Sequence, residues 1–210
     1  MDELKFAVIG NPVSHSLSPD IHLFFASQFQ LERYTYNKIK SNEDGFEREI
    51  NDFFKNGGVG LNVTVPFKGL AYNLCDELDQ SAELCKSVNT LSMDSGKLIG
   101  HSTDGQGLID DFLHKEITLE DSKILIIGAG GSAASIISSL LSHGKIKEIS
   151  ILNRTKSNAL RLLDLFETNR LLMHEEGDEY DIVINTTPIS MNVDDIILPP
   201  ELIINKPICY

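Results

Sequence analysis

The chain has 210 residues, 41% of them hydrophobic and 23% charged, the balance of an ordinary globular protein with room for one large domain or two small ones. Its 31 acidic residues outweigh 18 basic ones, and the formal charge of −13 disfavours nucleic acid and anionic membrane as targets. The three cysteines, Cys75, Cys85 and Cys209, form no C-x-x-C pair and have no histidines at metal-ligand spacing, so they are expected to be reduced, mostly buried thiols, with no metal site.

Met1-Asp2-Glu3-Leu4-Lys5 leads straight into a strand without the basic and apolar regions of a secretory signal, which points to the cytoplasm. Phe6-Ala7-Val8-Ile9 is a short apolar strand ended by Gly10-Asn11-Pro12. After the loop Val13 to Ser18, Ile21, Phe24, Phe25 and Phe29 recur at helical spacing, with Ser18 as the expected N-cap and Pro19 at the first helical position. That cap accounts for one serine and leaves His15 and Ser16 unexplained; hydroxyls clustered before a helix suit a polyhydroxylated or carboxylated ligand.

Tyr34 to Ile39 alternates like a strand, and Phe46, Ile50, Phe53 and Phe54 form the inner face of the next helix. Val59 to Val65 reads as a third strand, with Asn62 and Thr64 expected on one face. Phe67-Lys68 opens a helix whose core face would be Leu70, Leu74 and Leu78. A lysine there sits on the unfavourable side of the helix dipole, and taken alone it reads as a solvated residue. Val88 to Met93 and Lys97 to Ser102 form a hairpin around Asp94-Ser95-Gly96, with Asn89 at its beginning. Thr103-Asp104-Gly105 leads into a helix, where an aspartate is by itself an ordinary cap. The domain boundary is expected at about residue 103.

Beyond it, Ile124-Leu125-Ile126-Ile127 enters Gly128-Ala129-Gly130-Gly131-Ser132-Ala133, followed by a helix to His143-Gly144 and a second strand, Ile149 to Leu152. Strand, glycine turn, helix and strand make a βαβ unit, and Gly128, Gly130 and Ala133 take the G-x-G-x-x-A places that let backbone N–H groups and the helix dipole face a pyrophosphate. The uncharged run from Ile124 to Ser142 is too rich in glycine and serine for a membrane span. After the second strand comes Asn153-Arg154-Thr155-Lys156 in place of the Asp or Glu of an NAD site. A guanidinium, hydroxyl and ammonium suit a ribose 2′-phosphate, favouring NADP, and the bland alternative is a solvated basic loop. Leu160, Leu163 and Phe166 suggest another helix, Tyr180 to Asn185 a buried strand ending in Thr186-Thr187-Pro188, and Leu202 to Tyr210 a last strand.

Taken together, Gly10-Asn11-Pro12 with His15-Ser16-Leu17-Ser18-Pro19, Asn62-Val63-Thr64-Val65-Pro66-Phe67-Lys68, Val88-Asn89-Thr90, Thr103-Asp104-Gly105, the glycine turn, Asn153-Arg154-Thr155 and Asn185-Thr186-Thr187-Pro188 resemble, in order and over essentially the whole chain, the shikimate dehydrogenase family. The resemblance implies an α/β fold: an N-terminal substrate domain over 1–103, a Rossmann-like NADP domain over 104–210, and an active-site cleft between them. It implies NADP-linked, reversible interconversion of 3-dehydroshikimate and shikimate on the route to chorismate and the aromatic amino acids. By the same resemblance Ser16, Ser18, Asn62, Thr64, Asn89 and Asp104 would hold the ring, with Lys68 and Asp104 as the catalytic pair. Gly128, Ala129, Gly130, Gly131, Ser132, Asn153, Arg154, Thr155, Lys156 and Thr187 would hold the cofactor, with Gln80 approaching it.

A lysine in a closed cleft can exchange the hydroxyl proton, which requires its pKa to fall from the usual value of about 10.4, while a nearby carboxylate opposes that fall. The implied partner is a small-molecule substrate, and the implied assembly a monomer or homodimer. Three departures stand out. Lys86 and Ser190 replace glycines that the family usually has before the Val-Asn-Thr motif and before Met191. The family's chains also run on for roughly 60 residues that pack back on the first domain and contact substrate, so a chain ending here is expected to leave apolar surface uncovered. That sets a noncatalytic remnant binding NADP, shikimate or a partner, and a quinate dehydrogenase, beside the main reading.

Overall fold

The computed structural model describes residues 3–187 and 199–210. Ser190 and Met191, like Pro188, lie outside the described residues. The chain divides into two compact units, residues 1–103 and 104–210, and each is a mixed or parallel α/β sheet with its helices alongside.

The first unit runs β1 (Leu4–Gly10), α1 (Ser18–Gln28), β2 (Tyr34–Lys40), α2 (Phe46–Lys55), β3 (Gly58–Val63), α3 (Lys68–Leu74), β4 (Glu77–Leu78), α4 (Gln80–Cys85), β5 (Thr90–Asp94) and β6 (Lys97–His101). Its sheet order is β2-β1-β3-β5-β6-β4. β1 pairs in parallel with β2 and β3, and β5 is antiparallel to β3 and β6. Successive side chains of β1 therefore serve two faces. Ala7 and Ile9 join Leu61, Val63, Ile50 and Phe67 in one core, while Val8 packs with Val13 and Tyr36 on the other. Phe46 and Phe67 meet at 4.8 Å between ring centroids, fixing the residue before Lys68 in the core.

Several local expectations are corrected. Ser18 is not the cap of α1: Leu17 holds that place without a side-chain bond, and Ser18 is the first helical residue, its N–H given to Ser16 Oγ at 3.3 Å. β3 stops at Val63, so Thr64 lies just past it. The inner residue of α3 is the fully buried Ala71, whereas Leu70 is exposed, and Leu78 belongs to β4 because the chain turns extended at Cys75. On α1, Ile21, Phe24, Phe25 and Phe29 are exposed, Phe29 to 75%. Lys86 ends α4 in the left-handed region at φ 52°, where glycine costs least, and its Nζ donates to the Tyr72 hydroxyl at 2.7 Å. Of the cysteines, Cys85 is buried, Cys75 half-buried and Cys209 exposed; all three are free thiols.

The second unit runs α5 (Asp104–His114), β7 (Lys123–Ile127), α6 (Gly131–His143), β8 (Glu148–Leu152), α7 (Lys156–Phe166), β9 (Leu171–Met173), β10 (Ile182–Asn185) and β11 (Ile208–Cys209). Its sheet order is β11-β10-β7-β8-β9, with every pairing parallel. A parallel strand covered on both faces needs a continuous apolar run, and Ile124, Leu125 and Ile126 are fully buried. α7 turns Ala159 and Leu162 inward and leaves Leu160 exposed. The expected last strand shrinks to Ile208–Cys209, because Pro200–Ile203 forms a 3-10 turn that drops Leu202 onto Leu125 and Val183. Among the described residues, no helix is long and apolar enough to cross a membrane, and no group of His, Cys, Asp and Glu could hold a metal ion.

Asp79 caps α4. Its carboxylate accepts from the Ala82 N–H at 2.9 Å and the Ser81 hydroxyl at 2.7 Å, with His101 Nδ1 at 3.3 Å. Burial opposes the charge, but those three partners outweigh it and hold the pKa below the ordinary carboxylate value. A group whose pKa is depressed by folding stabilises the fold above its unfolded-state pKa and loses that contribution as pH falls through the folded value. Asp79→Ala should therefore cost about 1 kcal/mol in urea unfolding at neutral pH, with the gap from the parent closing in acid.

Candidate functional site

In the first unit the predicted residues gather at the C-terminal ends of β1 and β3. β1 ends at Gly10, where a Cβ would lie 2.3 Å from Thr64 Cγ2. Only glycine lets the two exits come so close, and two backbone bonds lock them, Thr64 N–H to the Ile9 carbonyl and Asn11 N–H to the Val65 carbonyl, both at 2.9 Å. The loop carrying Ser16 and Ser18 thus leaves beside Thr64.

A run of hydrogen bonds then joins most of these side chains. Ser16 donates to Ser18 at 3.1 Å, and the Ser18 hydroxyl in turn bonds the Tyr36 hydroxyl. Tyr36 donates to Asn62 Oδ1 at 2.7 Å. Asn62 Nδ2 donates to Thr90 Oγ1 at 3.2 Å and reaches the Asn89 carbonyl at 3.4 Å; Thr90 donates to Asn89 Oδ1 at 3.1 Å. Asn89, 9% exposed, also binds Thr103 through its Nδ2 and Oδ1 at 2.9 and 3.0 Å. Lys68 is half-buried at the first position of α3, and its carbonyl receives the Val88 N–H at 3.0 Å, which ties the lysine to the segment entering Asn89. Gln80 is exposed in the first turn of α4. Sequence patterning missed Tyr36, Thr90 and Thr103; the one signal for Tyr36 was a polar tip on an otherwise inward-facing strand position.

In the second unit Gly128 closes β7 at φ 116°, a conformation strained for any other residue, and a Cβ there would meet Thr186 Oγ1 at 2.3 Å. Gly130 precedes α6, and a Cβ there would meet nothing within 4 Å, so space lies open over the start of the helix. Gly131 and Ser132 form its first turn, while Ala129 and Ala133 are buried. Thr186 donates to the Ile127 carbonyl at 2.9 Å, and Thr187 donates to Asn185 Oδ1 through both its N–H, at 3.0 Å, and its hydroxyl, at 2.7 Å.

Ser132, Asn185, Thr186 and Thr187 line an open cleft of about 490 Å³ with Asp104 and Gly107. Asp104 opens α5, whose second residue anchors the helix: the Gly105 N–H donates to the buried Ser135 Oγ of α6 at 3.0 Å. Asn153 bridges to the Thr155 carbonyl at 2.9 Å after β8, and Arg154, Thr155 and Lys156 are exposed there. Lys68 and Gln80 stand in the first unit, Asp104 and the glycine turn in the second.

Residues 8–91 match the family model of the shikimate dehydrogenase substrate binding domain, and residues 112–195 match that of shikimate / quinate 5-dehydrogenase. The chain is 44% identical over 207 residues to the shikimate dehydrogenase (NADP(+)) of Legionella pneumophila, covering 98% of this chain and 77% of that one. It is 42% identical over 205 residues to the Acinetobacter baumannii protein of the same name, covering 94% and 78%. This chain belongs to the shikimate dehydrogenase family. Its fold matches the crystal structure of a family member from Thermus thermophilus in complex with NADP(H) and shikimate, with a TM-score of 0.78 and 30% identity over 88% of this chain and 68% of that one.

The two-domain α/β class expected for the family is the one observed. Gly128→Ala tests the glycine turn: positive φ and the clash with Thr186 should together destabilise the fold by about 2 kcal/mol or more in denaturant unfolding. An unchanged midpoint would mean that the backbone at this turn is not the one described.

Proposed function

We propose that this protein catalyses the reversible, NADP-dependent interconversion of shikimate and 3-dehydroshikimate, a step towards chorismate and the aromatic amino acids. The observation that carries the reading is the hydrogen-bonded run Ser16, Ser18, Asn62 and Asn89 at one end of the first unit's sheet, with Lys68 tied to its far end by the Val88 bond. A ring bearing several hydroxyls and a carboxylate needs such a mixture of donors and acceptors, held by a rigid scaffold. In this reading residues 1–103 are the substrate domain and 104–210 the NADP domain. The names of the relatives support it, since they are NADP-linked shikimate dehydrogenases.

Oxidising the secondary alcohol takes a hydride from carbon and a proton from oxygen. Lys68 and Asp104 are the catalytic pair: Lys68 Nζ takes the hydroxyl proton in one direction and returns it in the other, and Asp104 accepts a hydrogen bond from the ring. Ser16, Ser18, Asn62, Thr64 and Asn89 orient the ring.

The second unit suits a dinucleotide. The open space over the exposed Gly130, the half-buried first turn of α6 and the small buried Ala133 fit a diphosphate against the helix N-terminus, held by Gly128, Ala129, Gly130, Gly131 and Ser132. Asn153, Arg154, Thr155 and Lys156 fit a ribose 2′-phosphate, and Thr187 with Gln80 complete the proposed set. NADP⁺, when bound, supplies the hydride acceptor. The partner is then a small molecule, the location the cytoplasm, and the assembly a monomer or homodimer.

Nicotinamide absorbance with shikimate and NADP⁺, run beside quinate and NAD⁺, tests the reaction. Turnover should be fastest with shikimate and NADP⁺, and Lys68→Ala should lower kcat by about a hundredfold or more while leaving NADP⁺ affinity within a factor of about two. A fully active Lys68→Ala chain would overturn the catalytic assignment, and absence of turnover by a folded parent that binds NADP⁺ would favour a noncatalytic binder. Arg154→Ala should raise KM for NADP⁺ roughly tenfold and leave that for NAD⁺ nearly unchanged, because only the former offers a phosphate to pair with the guanidinium. Equal losses would remove the argument for 2′-phosphate recognition.

A further inference from the structure

We propose that Tyr36 is a positioning residue for the substrate: its hydroxyl couples Ser18 on α1 to Asn62 on β3 and fixes which way the Asn62 amide faces. The inference rests on the reading that Ser18 and Asn62 hold the ring.

The orientation follows from the partners. The Asn89 carbonyl only accepts hydrogen bonds, so the Asn62 atom that approaches it at 3.4 Å must be the amide nitrogen, which leaves Oδ1 towards Tyr36 at 2.7 Å. An amide oxygen only accepts, so Tyr36 must give it the phenolic proton. The Tyr36 oxygen is then left as acceptor for the Ser18 hydroxyl. Each donor is thereby assigned, and the amide cannot flip without setting two oxygens, or two donors, against each other. The amide nitrogen of Asn62 is turned to Thr90 and the Asn89 carbonyl and its oxygen to Tyr36, so the side chain is held from both ends.

Tyr36 suits this task in reach and in protonation. In the sheet order β2-β1-β3 it lies opposite Phe6 of β1, and Asn62 lies opposite Val8, so the phenol crosses a whole intervening strand to reach the amide. A serine or threonine at position 36 would be too short. The ring is 5% exposed, packed on Val8 and Val13, and His22 of α1 stacks on it at 4.4 Å and 15° between planes. Burial pushes the phenol pKa up to about 12, so it keeps the proton it must donate at any working pH, and burial also lowers the His22 pKa, keeping that ring neutral near neutrality. No step of the reaction passes through Tyr36; it acts through Asn62 and Ser18.

Tyr36→Phe keeps the ring, the stack and the packing and removes only the hydroxyl. In steady-state assays it should raise KM for shikimate roughly tenfold, the effect of one lost buried hydrogen bond with its partner left unpaired, and leave KM for NADP⁺ and the midpoint for kcat against pH unchanged. Combined with Asn62→Ala it should add clearly less than it costs in the parent, because the contact with Asn62 is then already lost and only the bond to Ser18 remains to be removed. A shikimate KM within twofold of the parent, equal losses for shikimate and NADP⁺, or additive effects in the pair would each overturn the role of Tyr36. Shikimate binding by calorimetry separates this from the function itself: a parent chain that neither binds nor turns over shikimate overturns the proposed function and this inference together, whereas an active parent with an unaffected Tyr36→Phe variant overturns the inference alone.

Discussion

A missing Cβ at the end of a central parallel strand is the constraint on which both units depend. β1 ends in Gly10 against Thr64, and β7 is followed at once by Gly128 against Thr186; in each case a methyl group would lie 2.3 Å from the threonine side chain. The threonine follows the neighbouring parallel strand, β3 in one unit and β10 in the other. Parallel strands deliver their loops to the same edge of a sheet, and the crevice there is where ligands of open α/β sheets bind. The glycine lets two such loops leave side by side instead of splaying apart. What each unit places at that edge differs: hydroxyls and amides in the first, a bare glycine turn and a helix N-terminus in the second.

That difference divides the chemistry. In the first unit the side chains are held by one another, Asn89 gripping Thr103 while Asn62 is held between Tyr36 and Thr90. Such a network satisfies buried polar groups and leaves little freedom to rearrange, which suits recognition of one small ring. In the second unit the proposed ligand contacts are largely backbone, and the side chains after β8 are exposed. A long, charged cofactor can be held there by dipoles and a few cationic groups. Gly105 and Ser135 join the helix that begins with Asp104 to the helix that follows the glycine turn, so the carboxylate and the turn share one rigid support.

The exposed apolar face of α1 and the left-handed Lys86 show where local rules give way. Ile21, Phe24, Phe25 and Phe29 obey helical spacing, yet the periodicity that identifies a helix does not say whether its apolar side is covered. Lys86 occupies a conformation that favours glycine, and its ammonium finds the Tyr72 hydroxyl and ring. Serine before proline favours a cap at Ser18; here Ser16, two positions earlier, supplies the oxygen that accepts the Ser18 N–H.

The sequence by itself determined the order of most elements, the glycine turn, and the motifs that place the chain in its family, because strand alternation, glycine spacing and short polar signatures are local properties of a chain. Even so it overran β3 and the last strand, and it missed β4 and β9, since short edge strands exist only through the partner that hydrogen-bonds them. The tertiary structure alone decided the joining of Tyr36 to Asn62 across β1, the packing of Ala71 rather than Leu70 into the core, and the anchoring of α5 by Ser135. Those contacts connect residues that are 26 or more positions apart, or depend on which face of a helix meets the sheet. No window of sequence contains both partners, and only the folded register brings them within hydrogen-bonding distance.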